Sequence, residues 1–272
     1  MAYVRTRLGR LFYDERGTTR SKGDPAIVLL HGLLFDGGMW RGQVEPLASP
    51  GRVLVFDGPG HGKSEPGPRF AIEDHAHAMF DAFNELGVDK AVLVGLSWGG
   101  MLAMRIALQH PEKVAGLALM DTSAGAEPLV NKLKYRTLIA IHRRIGFPYS
   151  MFEREIAPLL FSPRTVRERE DLLQHAYARA MGYERGGVAR AAIAVVVHRT
   201  DITPNLGRIA APTLVMCGTE DASQPPEHSQ AIARGIPGAE LVMLDGLGHM
   251  SALEDPEAVN ARLIPFVRKL FS

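Results

Sequence analysis

The chain has 272 residues, 46% of them hydrophobic, and its 31 Lys+Arg nearly balance 30 Asp+Glu to leave a formal net charge of +1. Such a chain can bury a sizeable core as one large domain, or one domain with an insertion; global disorder is excluded, and there is no electrostatic case for nucleic acid or an acidic membrane as a partner. The single cysteine, Cys217, excludes an internal disulfide framework and argues against a Cys-rich zinc site.

The opening "MAYVRTRLGRLFYDERG" carries charges every few residues and has no apolar segment of the kind a secretory signal needs. Its alternation suits a short hairpin. Six short runs follow: "AIVLLHG", "RVLVFDGPG", "AVLVGLS", "VAGLALMDTS", "APTLVMCGTED" and "AELVMLDG". Each is apolar on both faces and is stopped by Gly or polar residues, which predicts strands buried on both sides, as in a parallel sheet. Amphipathic segments such as "IEDHAHAMFDAFNELG" and "WGGMLAMRIALQHPEK" lie between them. This alternation predicts an α/β doubly wound fold. Residues 126–204 break the rhythm with helical segments separated by Gly and Pro, and are expected to form a helical cap, or lid, on a core made of 1–125 and 205–272. The longest apolar stretch, "AAIAVVV" at 191–197, is too short to span a bilayer, so a soluble cytoplasmic protein is expected.

Ligands of open α/β sheets bind beyond the carboxyl ends of the strands. There the sequence places Ser97, then Glu220 and Asp221, then His249, with His31-Gly32-Leu33-Leu34 after the first apolar strand. Ser97 lies in Gly95-x-Ser97-x-Gly99, the spacing of a sharp strand-to-helix turn that lifts a serine into solvent. A serine hydroxyl needs a base, and neutral imidazole suits that role at pH 7. The order Ser…Asp…His predicts Ser97 as nucleophile, His249 as base and Asp221 as the acid that orients it. Glu220, beside Asp221, and Asp121, at the end of the preceding strand, are the alternative acids.

Together these stretches resemble the α/β-hydrolase superfamily over nearly the whole chain. "LLHGLLFDGGMW", "VFDGPGHGKS", "GLSWGGM", "GTED" and "GLGHMSALEDPE" match its landmarks in order. The resemblance is to the capped enol-lactonase, esterase and haloperoxidase-like branch. It implies an α/β-hydrolase fold, an oxyanion hole formed by the backbone N–H groups of Leu33 and Trp98, and cofactor-free hydrolysis of a small or medium carboxylic ester or lactone. "SWGG" is also similar to haloalkane dehalogenases, but these carry Asp where this chain has Ser97, which argues against dehalogenation and against epoxide opening by that route. A C–C bond hydrolase of dienoic ring-cleavage products is the rival on the same fold, perhydrolysis is a side activity to test, and a non-catalytic small-molecule receptor is the rival from another class. If the substrate carries a carboxylate, Arg143, Arg144 or Arg190 of the lid is expected to bind it.

Other patterns read as structure. His31 is expected to hold the loop before Leu33. The "GKS" in "DGPGHGKS" lacks the first Gly of a phosphate loop, having Asp57 there, and reads as a turn in the pocket wall. No complete G-x-G-x-x-G supports a dinucleotide, and His75 and His77, two apart on a helix, face different ways and do not form a metal pair. No cofactor and no metal are expected.

Overall fold

The computed structural model describes residues 2–19, 21 and 23–271. Eight strands form one sheet: β1 (Ala2–Thr6), β2 (Gly9–Arg16), β3 (Ala26–Leu30), β4 (Val53–Phe56), β5 (Ala91–Leu96), β6 (Val114–Met120), β7 (Thr213–Gly218) and β8 (Glu240–Leu244). Their spatial order is β1-β2-β4-β3-β5-β6-β7-β8. The opening hairpin pairs antiparallel with itself and with β4, and every other pair is parallel. Strands β3, β4, β5 and β7 are buried at every residue, as their unbroken apolar runs predict. The last strand departs from that expectation. Only Leu244 of β8 is buried, and Leu241 and Met243 are each 36% exposed. It lies at the edge of the sheet and, among the described residues, pairs with β7 alone, so no further strand covers its outer side.

Helices α2 (Ile72–Glu85), α3 (Trp98–Gln109) and α10 (Pro226–Gly235) pack on one face, and α1 (Val44–Ala48) and α12 (Pro256–Lys269) on the other. Between β6 and β7 the chain forms six α-helices, α4 (Leu129–Ile145), α5 (Tyr149–Met151), α6 (Ala157–Leu160), α7 (Pro163–Glu168), α8 (Glu170–Gly182) and α9 (Arg185–Ala192), with π-helical turns at Phe152–Ile156 and Ile193–Val197 and a 3-10 turn at Thr203–Arg208. This insertion shares a core with the sheet: Phe152, Leu160, Phe161, Leu172 and Leu173 are buried in one cluster with Met120, Met216 and Leu253. Truncating either phenylalanine to Ala would cost about 3–5 kcal/mol. The short α11 (Ser251–Glu254) precedes α12.

The insertion leaves and rejoins the sheet at one place. Buried Arg199 donates from Nε to the Gly125 carbonyl at 2.8 Å and pairs with Glu127 at 3.3 Å. The Ile202 amide donates to the Ala124 carbonyl at 3.0 Å. A second buried guanidinium, Arg105 on α3, bonds the Thr200 carbonyl at 2.7 Å and Glu73 at 2.9 Å. The two chain segments of this neck are therefore clasped to each other and to the core.

Candidate active site

Strands β5, β6, β7 and β8 are neighbours, so their carboxyl ends bring Ser97, Asp121, the 218–221 turn and the 245–250 loop to one edge of the sheet. The serine turn is tight for steric reasons. A Cβ on Gly95 would collide with the carbonyl of Gly99, and a Cβ on Gly99 would collide with the carbonyl of Leu30. Any side chain there would push α3 off β5 and β3. Ser97 itself has φ 54° and ψ −113°, a region that L-residues avoid. Of the described non-glycine residues, the only others at positive φ are Leu34 and Asp121, also just beyond strand ends on this edge. Backbone strain is thus concentrated where the sequence placed the chemistry.

His249 is buried, and its Nδ1–H donates to Asp221 Oδ2 at 2.9 Å. The other oxygen of Asp221 accepts from the Ser223 and Gln224 amides at 2.9 and 2.8 Å. Burial pulls the imidazole pKa down, but the charge and hydrogen bond of Asp221 outweigh it, so the net shift is upward. Of the three acids left open by the sequence, Asp221 is the one hydrogen-bonded to the ring. Glu220 is exposed. Asp121 is fully buried but turned elsewhere: it accepts from the Gly218 amide at 2.9 Å and from Ser251 Oγ at 2.5 Å. Burial, reinforced by the charge of Asp221, pushes its carboxyl up to about 8.

Asp121 therefore ties β7 to the helix that follows His249, and the next residue completes the tie, since Thr122 Oγ1 donates to the Ser97 carbonyl at 2.7 Å. The sequence reading missed Thr122 and Ser251; their adjacency to Asp121 and His249 was the available signal. It also missed Glu254, which no motif marks. Its two oxygens accept from Gly248 N and from Ser162 N, each at 2.9 Å, and so pin the histidine loop to the insertion. Asp121, Cys217 and Asp221 offer ligand atoms within 4.8 Å of one another, the geometry of a metal cluster. Their chemistry suits a hydrogen-bonded hub better. The carboxylate oxygens already accept hydrogen bonds, and burial pushes the Cys217 thiol up to about 12, far from the thiolate a metal requires.

Trp98 directly follows Ser97, and a Cβ on Gly32, the residue before Leu33, would lie 3.6 Å from the Ser97 Cβ. Trp98 opens α3, where the first N–H groups lack intrahelical partners. Leu33 sits in a loop held by two histidines. His31 donates from Nδ1 to the Gly32 carbonyl at 2.7 Å and accepts from the Gly58 amide at Nε2, also at 2.7 Å. His61 donates to the Pro59 carbonyl and accepts from the Leu34 amide at 3.3 Å. These bonds require neutral rings protonated on Nδ1. The Trp98 ring is enclosed by His31, His61 and His75, with centroids 5.5, 5.2 and 5.2 Å away. Burial drives His61 and His75 down to about 3. The tryptophan next to the serine is thus an anchor for the turn, and Ala191 and Val195 of the insertion pack over it together with Met101 and Leu33.

The GKS stretch is a turn, as expected. Buried Asp57 accepts from Lys63 N and from Gly37 N, each at 2.8 Å, joining that turn to the loop after β3. The three arginines proposed from the sequence are not gathered at Ser97. Arg143 and Arg190 line a cavity among α4, α9 and residues 67–71, and Arg144 lines an adjoining one; Ser97 and His249 line neither. The face of α4 carrying Leu129, Val130 and Leu133 points to solvent, each residue more than two-thirds exposed, while its buried side meets α9.

A mostly parallel sheet with a strained serine at a strand-to-helix turn and a buried His–Asp pair on the same edge defines a hydrolase-type scaffold. Residues 27–262 match the alpha/beta hydrolase family, and the chain belongs to it. Among solved structures it is similar to a thermophilic esterase from Thermogutta terrifontis, with a TM-score of 0.90, 31% identity and 100% of both chains covered. It is also similar to the enol-lactonase of Burkholderia xenovorans LB400, with a TM-score of 0.88, 25% identity and 98% and 99% covered. A curated relative, the 2-hydroxy-6-oxo-6-phenylhexa-2,4-dienoate hydrolase of Burkholderia cepacia, is 26% identical over 89% of this chain and 87% of its own. Another, the dihydrolipoyllysine-residue acetyltransferase component of the acetoin cleaving system of Pseudomonas putida, is longer: 30% identity extends over 91% of this chain but only 65% of that protein. Among the described residues no helix is long and apolar enough to cross a membrane.

Proposed function

We propose that this member of the family is a serine hydrolase that cleaves a small or medium carboxylic ester or lactone through an acyl-enzyme. The observation that carries the reading is the buried His249–Asp221 hydrogen bond, 2.9 Å long, on the sheet edge that also presents the strained Ser97. Ser97 Oγ attacks the carbonyl carbon while His249 Nε2 takes its proton. Asp221 fixes the tautomer that leaves Nε2 free and stabilises the imidazolium. The carbonyl oxygen becomes an oxyanion between the Leu33 and Trp98 amides, and each such donor contributes about 3 kcal/mol to the transition state. His249 then protonates the leaving alcohol, and in the second half-reaction it activates the water that releases the acid. The insertion excludes water over the turn and shapes the acyl or alcohol pocket.

The test is labelling with a fluorophosphonate and mapping by mass spectrometry, beside a hydrolysis screen of p-nitrophenyl esters of rising chain length, lactones and a dienoic ketone. Label on Ser97 with ester or lactone turnover supports the proposal; label elsewhere, or none on folded protein, overturns it. The likeness to the dienoate hydrolase motivates the second reading, C–C bond cleavage by the same residues, and turnover of the dienoic ketone alone would select it.

A further inference from the structure

The cavity among α4, α9 and residues 67–71 is built unlike the serine site. Its volume is about 850 Å³. Four guanidinium groups line it from three separate segments: Arg69 from the loop before α2, Arg136 and Arg143 from α4, and Arg190 from α9. Among the described residues, Arg69, Arg136 and Arg143 form no ion pair. Arg190 has one, a long contact of 3.6 Å to Glu184, and its Nε is buried without a hydrogen-bond partner. The two nearby carboxylates are committed to backbone. Glu184 accepts from the Gly186 and Gly187 amides at 2.8 and 2.6 Å, and Asp74 accepts from the Ala71 amide at 2.8 Å. Four guanidiniums against two carboxylates leave the cavity two positive charges in excess.

That excess identifies the ligand. A single carboxylate is satisfied by one guanidinium fork and carries one charge. A phosphate ester carries close to two negative charges at pH 7 and presents three acceptor oxygens in different directions, which suits arginines arriving from several segments. Beside Asp74 and His198, the rest of the wall is largely apolar, with Phe70, Ile193 and Val197, so the ligand has an apolar body beside its phosphate. Phe70 also packs against the cluster that contains Trp98, and Ser97 does not line the cavity.

We propose that this cavity is a second binding site, distinct from Ser97, for an organic phosphate whose charged group is held by Arg69, Arg136, Arg143 and Arg190 and whose apolar part rests on Phe70 and Ile193. An occupant bridges α4 to α9 and to the loop before α2, and so ties the outermost helix of the insertion to the core. The site does not depend on ester chemistry at Ser97.

The experiment is isothermal titration calorimetry of the full chain at low ionic strength with phenyl phosphate, benzoate and inorganic phosphate, and sedimentation with phosphatidic acid vesicles. Phenyl phosphate is expected to bind, and more tightly than benzoate, which has the same ring and one charge, or inorganic phosphate, which has no ring. The double variant Arg136→Gln/Arg143→Gln, whose side chains are exposed, should melt like the parent and bind at least about tenfold more weakly. Ser97→Ala and Arg154→Gln, outside the cavity, should bind like the parent. Binding of phenyl phosphate in solution assigns a free phosphate ester as the source. Binding to vesicles alone, lost in the same double variant, assigns a lipid headgroup. No binding to either by folded protein, equal binding of benzoate, or an unaffected double variant would overturn the proposal.

Discussion

The dihedral angles of Ser97 make a prediction about stability whose sign is unusual. A non-glycine residue at φ 54°, ψ −113° costs roughly 1–3 kcal/mol. Ser97→Ala keeps that cost, because alanine also has a Cβ; Ser97→Gly removes it. Glycine pays for its freedom in the unfolded chain, by about 0.5–1 kcal/mol relative to alanine. The Ser97 side chain makes no capping hydrogen bond to α3, so neither variant loses one. The difference leaves the glycine variant more stable than the alanine variant by roughly 0.5–2 kcal/mol. With an unfolding entropy of about 2.1 cal/mol/K per residue, this is a rise in Tm of roughly 1–4 °C for a chain of this length. Scanning calorimetry of the two variants side by side measures it, both being expected to lack turnover. A glycine variant that melts at or below the alanine variant would show that the turn stores no strain, and the argument from backbone geometry to a reactive serine would lose its basis.

Asp221→Asn should lower kcat by about 10⁴, as loss of the acid does in a Ser-His-Asp triad elsewhere, whereas Glu220→Gln should stay near the parent in the same ester assay. Since His249 must be neutral to act as base and its pKa is raised, kcat/KM should fall as pH drops through a point above the ordinary imidazole value, and Asp221→Asn should move that limb to lower pH. His61 and His75 are held neutral with values near 3, so the unfolded chain takes up their protons first. Their contribution to stability is full above about pH 6.5 and declines by about 1.4 kcal/mol per pH unit for each ring as pH falls towards 3; a Tm that stays level from pH 7 to 5 would contradict this. Glu254→Ala leaves the Gly248 and Ser162 amides without their acceptor and should cost about 1–3 kcal/mol in denaturant unfolding, with a rise in KM as the insertion loosens.

The strands were legible because burial on both faces writes an unbroken apolar run, and the serine turn because its glycines answer to collisions with named carbonyls. The exposed outer half of β8 was not legible, since "LVML" has the composition of a buried strand and only its place at the sheet edge decides otherwise. The pairing of Asp221 with His249 needed coordinates, because Glu220, Asp221 and Asp121 all follow strands that end on the same edge. The arginines were legible as residues but their grouping around a cavity was not: helical periodicity tells which side chains share a face of α4, not which way that face turns. The hub of Asp121, Thr122 and Ser251 joins segments more than a hundred residues apart and has no local signature.

The clasp of Arg199 and Ile202 on residues 124–127 has a consequence for how such a protein diversifies. Both ends of the six-helix segment are fastened within a few residues of each other, so the entropy of closing that loop is met at the neck and varies only slowly with its length. A segment grafted at the same two points, longer or shorter, inherits its anchorage from the recipient. The contacts it must rebuild are those over Trp98 and along Met120, Met216 and Leu253. Evolution and protein engineering then have the same modular joint to work with, one at which recognition can be exchanged as a cassette while the reacting groups stay where the sheet put them.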